Sequence, residues 1–295
     1  MKFIKKHQGV ILLFICAFIW GTTFVAQSLG SNNVGPFTFN AFRFSISGIL
    51  LLIGVLLFKD KNKVDKKYYI YAILTGIALF IAATLQQIGI DLTKSAAKSG
   101  FLTSLYIIFV PILGLLFKNR TSRYIWLWIF VAIIGSYLIA AKENMIFELG
   151  DILALSSSVF YAVQIILVDI IVKRMSSIKL CAIQCLVTGG LSFILCMFSE
   201  EIIMQDVAIA LPAILYAAVL SGCFAYLLQI VGQKTTEPTI ASLIMSLESV
   251  FALLSGIIIL KEQFNVKEII GCLLIFSAVI CSQIKIKRKN KEINL

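Results

Sequence analysis

The chain has 295 residues, 60% of them hydrophobic and only 14% charged, with a net charge of +11 and a mean hydropathy of +0.98. A soluble domain is about 45–50% apolar and about 25% charged, and a water-soluble chain must clothe its surface in polar groups. These values exclude disorder, a secreted disulfide scaffold and an ordinary cytosolic enzyme, and they predict an all-α polytopic protein in a lipid bilayer. Spanning helices need about 20 apolar residues each, which leaves room for at most about ten.

The 26 Lys and Arg outnumber the 15 Asp and Glu. They lie in short clusters between apolar runs, the pattern of inner-facing loops rather than of a nucleic-acid surface. No nucleic-acid partner is expected. The seven cysteines (16, 181, 185, 196, 223, 272 and 281) all fall within apolar runs. Without a CxxC pair or companion histidines they predict small buried side chains, no metal site and no cofactor. The N-terminal lysines Lys2, Lys5 and Lys6 precede an apolar run too long for a signal peptide, which reads as an uncleaved first span.

The predicted spans follow in chain order. Residues 8–29 form the first, and 30–36 a turn in which Pro36 suits a helix start. The second is 37–58, followed by the hydrophilic loop 59–67. The third is 68–90 and the fourth 99–117, in which Pro111 predicts a kink. The fifth to seventh are 124–141, 150–172 and 180–198; in the seventh, Gly189-Gly190 reads as a hinge or a packing notch. The eighth to tenth are 209–231, 239–260 and 268–284. With the N-terminus inside, twenty Lys and Arg face inward and five (Lys94, Lys98, Lys142, Lys261 and Lys267) face outward. This bias predicts both termini on the cytoplasmic side of the cell (plasma) membrane.

The two halves resemble each other at an offset of 141 to 142 residues: the run from Gly9 to Val25 aligns with that from Gly150 to Ile166. Gln87, Thr93, Ser104, Leu105 and Phe109 pair with Gln229, Thr235, Ser246, Leu247 and Phe251. The expected domains are 9–141 and 150–284, five spans each. An odd number of spans makes the second copy enter the membrane in the opposite sense, giving two inverted five-helix repeats, a transporter signature.

The run Trp20-Gly21-Thr22-Thr23-Phe24-Val25, then Asn40-Ala41-Phe42-Arg43-Phe44, Leu247-Glu248-Ser249-Val250-Phe251-Ala252, Gly256, Lys261-Glu262-Gln263 and Gly271 resemble the drug/metabolite transporter superfamily, and within it the EamA group. The resemblance covers residues 9 to 284, and departs at Phe117-Lys118-Asn119, where an acidic residue like Glu262 is expected. It implies a ten-helix transporter with two repeats, a central cavity and a small-molecule substrate, most often an exported or exchanged metabolite such as an amino acid.

Glu248 is the one carboxylate near the centre of a span. A charge there costs about 2.5–3.5 kcal/mol or more and normally faces a cavity or a partner. Two readings stand: a cavity or proton-coupling role, and a structural pairing with another helix. Its counterpart in the first half is Tyr106. Arg43 can contact an anionic group, or it can tie helix ends together. Trp20, Thr23 and Gln27 share one face of the first span, and Tyr161 and Gln164 occupy the matching places on the sixth. Gln87 and Gln229 match on the third and eighth, with Tyr226 nearby; Thr103 joins Tyr106 and Ser99 on one face of the fourth. Together these residues predict a polar, aromatic-walled substrate cavity; taken singly, each also suits interhelical hydrogen bonding.

No phosphate-binding loop, HExxH or Gly-x-Ser-x-Gly occurs, so neither ATP-driven pumping nor hydrolysis is expected and the chain is not read as an enzyme. The expectation is a secondary transporter of small organic metabolites, an amino-acid or related exporter working by alternating access. The other readings are a non-transporting scaffold or receptor and a membrane-embedded lipid-modifying enzyme. Against the latter, Glu200, Glu201 and Asp206 lie in a loop without histidine.

Overall fold

A computed structural model describes residues 2–58, 64–93, 95–116, 121–140, 148–261 and 265–283. The basic clusters at 59–63, 118–120 and 285–291, with Lys94, Lys142, Glu262 and Gln263, lie outside the described residues.

The described residues carry helices and no strand. The first three spans are α1 (Lys2–Gly30), α2 (Pro36–Phe58) and α3 (Lys66–Thr93). The fourth is two helices, α4 (Ala96–Ser104) and α5 (Tyr106–Leu116), and the fifth is α6 (Arg123–Ala140). α7 (Leu149–Ile171) and α8 (Ser177–Ser199) form the sixth and seventh. The eighth runs through α9 (Met204–Tyr216), a π-helical stretch (Ala217–Ala225) and α10 (Tyr226–Gln233). The ninth is α11 (Pro238–Met245) with α12 (Glu248–Leu260), and the tenth is α13 (Val266–Ser282). Nine spans among the described residues are at least 18 residues long and apolar enough to cross a bilayer. The tenth, at 17 residues, is just shorter. Apolar side chains on the outside, such as Phe198 (85% exposed) and Ile258 (76%), are explained by lipid as their solvent.

Three spans depart from the single regular helices expected. The fourth and ninth are each broken once, at Leu105 and at Ser246–Leu247. The fourth therefore breaks upstream of Pro111, which sits inside α5. At each break a serine hydroxyl bonds back to the preceding turn. Ser104 Oγ donates to the Phe101 carbonyl at 2.8 Å, and Ser246 Oγ to the Leu243 carbonyl at 2.8 Å. Such bonds compete for the backbone acceptors of the preceding turn. In the eighth span the departure is the π-helical stretch itself.

The third span packs along the sixth and the first along the eighth. The first also packs on the ninth and the fourth on the sixth, while the second pairs with the seventh and the fifth with the tenth. Glycines let these backbones approach. A Cβ on Gly89 would lie 2.8 Å from the Gly150 carbonyl oxygen, and one on Gly232 would lie 3.1 Å from that of Gly9. A Cβ on Gly189 would lie 2.7 Å from the backbone nitrogen of Ser45, whereas one on Gly190 would meet nothing within 4 Å, so Gly189 is a packing notch. Hydroxyls tie the same seams. Ser47 Oγ donates to the carbonyls of Arg43 (2.6 Å) and Ala218 (2.8 Å), and Thr188 Oγ1 to those of Gln184 (2.7 Å) and Gly76 (3.0 Å).

Candidate functional site: a central cavity between the halves

A cavity of about 30 Å³ lies in the middle of the bundle, lined from both halves. A space this size holds about two waters. α1 contributes Trp20, Thr23, Phe24 and Gln27; α2 contributes Arg43; α3 contributes Gln86. The broken fourth span contributes Thr103 and Tyr106 from either side of its break. Tyr161, Ser221, Tyr226 and Glu248 complete the wall from the second half.

Nine of the twelve residues expected from the sequence line this space: Trp20, Thr23, Gln27, Arg43, Thr103, Tyr106, Tyr161, Tyr226 and Glu248. Gln87, Gln164 and Gln229 do not; they are buried behind the wall. Gln27 Nε2 donates to Gln87 Oε1 at 2.9 Å and to Gln86 Oε1 at 3.3 Å. Gln164 and Gln229 exchange amide hydrogen bonds at 3.0 and 3.3 Å, and Gln164 also donates to Gln184 at 3.2 Å. These are interhelical fastenings, and the amides of Gln87, Gln164 and Gln229 each both donate and accept. Phe24, Gln86 and Ser221 line the cavity but were not expected there. Gln86 accepts from the Tyr161 hydroxyl (3.0 Å) and donates to Thr103 Oγ1 (3.2 Å). The repeat alignment pointed to Gln87 because it matches Gln229, while Gln86 falls opposite the apolar Leu228.

Tyr106 and Glu248 are each the first residue after the break in their span, and they lie side by side in the cavity. Both are almost wholly buried, and neither the Tyr106 hydroxyl nor Glu248 Oε1 has a hydrogen-bond partner. The same holds for Trp20 Nε1 and one terminal nitrogen of Arg43. The Arg43 guanidinium stacks 4.3 Å from the Phe44 ring centroid, a cation–π contact. Trp20 and Tyr226 meet edge to face at 5.0 Å. The wall is therefore aromatic, with one carboxyl, one guanidinium and unpaired polar atoms converging on it. Native proteins seldom leave such atoms unpaired when buried; Trp20, Arg43, Tyr106 and Glu248 bring four of them together on this wall, and a few convergent polar groups in an aromatic setting are what a ligand pocket presents.

The two ends of the bundle differ. At the end where α4 and α7 begin, Lys98 Nζ lies 2.7 Å from Asp151 Oδ2 and Thr93 bonds Ser99 at 3.2 Å. At the other end, where α1, α6 and α11 begin, a vestibule of about 1030 Å³ opens between the halves. Its lining includes Arg123, Asp169, Lys173, Lys234 and Glu237.

The sequence matches the EamA-like transporter family twice, over residues 7–141 and 148–283. The chain belongs to the EamA-like transporter family. An uncharacterized transporter of Archaeoglobus fulgidus is 28% identical over 286 residues, covering 96% of this chain and 88% of that protein. The uncharacterized transporter YoaV of Bacillus subtilis is 21% identical, covering 97% and 99%. A solved crystal structure at 16% identity superposes with a TM-score of 0.78 over 94% of this chain and 97% of its own, which shows a shared fold. This EamA-like protein is a multi-pass transmembrane transporter of the drug/metabolite type, set in a lipid bilayer and acting on a small molecule.

Proposed function

We propose that the protein is a secondary exporter of small organic metabolites, amino acids or their relatives, working by alternating access around the central cavity. The observation that carries this reading is the wall of buried, unpartnered polar groups contributed by both halves and closed at one end of the bundle while a vestibule opens at the other. In the proposed cycle a solute enters from the vestibule, the halves exchange shapes, and the Lys98–Asp151 end parts to release it. The domains are 9–141 and 150–284, lying inverted in the plasma membrane with both termini cytoplasmic. The paired seams support inversion: Gly89 on Gly150 recurs as Gly232 on Gly9, and Ser47 to Ala218 recurs as Thr188 to Gly76. Inverted halves can trade conformations about a fixed midplane site.

Glu248 is the coupling group or the contact for a substrate ammonium, and proton exchange fits either role. Trp20, Thr23, Gln27, Thr103, Tyr106, Tyr161 and Tyr226 form the walls, Arg43 is the anion contact, and Gln87, Gln164 and Gln229 hold the wall from behind. The test is uptake of an amino-acid and metabolite panel into proteoliposomes, with and without a pH gradient, repeated for Glu248→Gln. A carried solute whose flux or pH dependence the variant changes is the expected result. Absence of flux for every solute overturns the transport reading, and an unaltered Glu248→Gln profile removes the role of Glu248.

A further inference from the structure

The two family matches begin at residues 7 and 148, so they set Val10 of α1 opposite Asp151 of α7, as they set Gly9 opposite Gly150. Within their halves α4 and α11 start at Ala96 and Pro238, which sets Lys98 opposite Ile240, the third residue of each helix. The packing agrees with this register: a Cβ on Gly150 would meet Thr93 Cγ2, and one on Gly9 would meet Oγ1 of Thr235, the counterpart of Thr93. The places match and their chemistry does not. At the closed end Lys98 Nζ lies 2.7 Å from Oδ2 of Asp151, which is 0% exposed. At the vestibule end the same two places hold Val10 and Ile240, both half-buried, and Ile240 lines the open space.

We propose that the Lys98–Asp151 pair is a one-sided latch, which makes the state with the vestibule open the resting state of the protein. This rests on the alternating-access reading and adds which of the two end states is preferred, and why. Parting the closed end takes a lysine away from a buried carboxylate, and a buried charge deprived of its partner is strongly unfavourable. Closing the vestibule end brings together two aliphatic side chains, a gain of ordinary apolar contact. Were the chemistry alike at both ends, inverted halves that trade shapes would pass between states of similar energy. With the pair at one end they do not. The charges on the vestibule wall do not restore the balance. Arg123, Lys173, Lys234 and Glu237 are exposed, and exposed ion pairs contribute little. Asp169 already has Lys173 within electrostatic reach. The preference therefore follows the pair, and moving the pair to the other end inverts it.

The experiment uses the full chain in detergent and reads conformation from the rate at which a membrane-impermeant maleimide labels one added cysteine, so it needs no solute. The reporter is Ser99→Cys, buried at the closed end, or Thr235→Cys, exposed in the vestibule. The protein without a reporter gives the background from the seven native cysteines. With the pair in place, position 235 is expected to label at least about tenfold faster than position 99. Lys98→Ile with Asp151→Asn removes the pair and keeps an acceptor for the start of α7. It is expected to speed labelling at 99 by at least about threefold and to slow it at 235. Adding Val10→Asp and Ile240→Lys puts the pair at the vestibule end and is expected to reverse the original order, with 99 the faster; either of these two alone is not. The proposal is overturned if loss of the pair leaves both rates unchanged, or speeds 99 without slowing 235, which is local loosening rather than a shift of state. It is also overturned if the four-residue variant, folded by its melting transition, labels as the two-residue variant does. The two-residue variant places no charge anywhere new, so it decides the matter alone where the four-residue variant does not fold. Reporters that switch as expected, without flux of any solute, sink the transport reading and leave the latch; flux with reporters that never switch does the reverse.

Discussion

Lys98 and Asp151 join the two halves at the end of the bundle away from the vestibule: a lysine of α4 meets a fully buried aspartate of α7 at 2.7 Å. Asp151 Oδ2 also accepts from the Glu148 backbone nitrogen at 2.8 Å, so the same carboxylate caps the start of α7. Lys98→Met leaves that cap in place and strips the carboxylate of this ion pair. Exposing a buried polar group's need in this way costs about 1–3 kcal/mol. The expected outcome is a lower unfolding midpoint in detergent and greater labelling, by a membrane-impermeant thiol reagent, of a cysteine placed at position 99. Unchanged labelling and stability would mean that the pair does not hold this end shut.

Gly135 and Gly271 bring the fifth and tenth spans into backbone contact. A Cβ on Gly135 would lie 2.7 Å from the Gly271 carbonyl oxygen, and a carbonyl on a packed helix cannot swing aside. Gly135→Ala is expected to destabilise the protein clearly, whereas Gly190→Ala, which meets nothing within 4 Å, is expected to be neutral or to gain up to about 1 kcal/mol from helix propensity. Thermal melts of the two variants side by side check this. A Gly190→Ala loss equal to that of Gly135→Ala would refute the seam.

Glu200, read from the sequence as part of an acidic loop, is an N-terminal cap supplied by another helix. Its carboxylate accepts from the backbone nitrogens of Phe37 (3.0 Å) and Thr38 (2.8 Å) and from Thr38 Oγ1 (2.6 Å). It thereby fastens the end of α8 to the start of α2. Replacing a cap by alanine costs about 0.5–2 kcal/mol. Glu200→Ala should lower the melting midpoint with solute binding at the cavity unchanged, and Glu201→Ala, as the neighbouring control, should not. Equal effects from the two would show that the loop acts by charge alone.

Ser47 and Thr188 make the same pair of bonds in opposite halves. Interhelical hydrogen bonds in membrane proteins are worth about 0.6 kcal/mol on average, with a maximum of about 1.7. Ser47→Ala and Thr188→Val should each cost an amount in that range and should add in the double variant, since the two bonds lie in separate seams. A chemical denaturation series in mixed micelles measures it. Strong non-additivity would mean that the two seams move as one.

Much of the architecture is legible in the sequence because a span declares itself by length and apolarity. Val266–Ser282, for instance, lies within two residues of the expected tenth span at each end. Breaks inside a span leave no such mark. Ser104 and Ser246 read as ordinary small residues, and only the structure reveals that their hydroxyls take the carbonyls of the turn before. Charge near the centre of a span was visible in Glu248, as intramembrane charge is rare. Direction was not: Gln86 and Gln87 are adjacent and alike, yet one faces the cavity and the other the helix behind it. Lys98 counts among the five outer lysines by its place between spans; its pairing with Asp151 is what the local sequence does not show.

The π-helical stretch of the eighth span has no equivalent in the third, which runs as regular α-helix from Lys66 to Thr93. Its wider turns leave the Gly222 carbonyl open to the Cys185 thiol at 3.5 Å. A looser rung can slip back to regular winding and drag its neighbours round without any loop having to melt. Among the described residues only the second half owns that slack. If the halves trade shapes during transport, the two end states would share an outline but differ in stiffness.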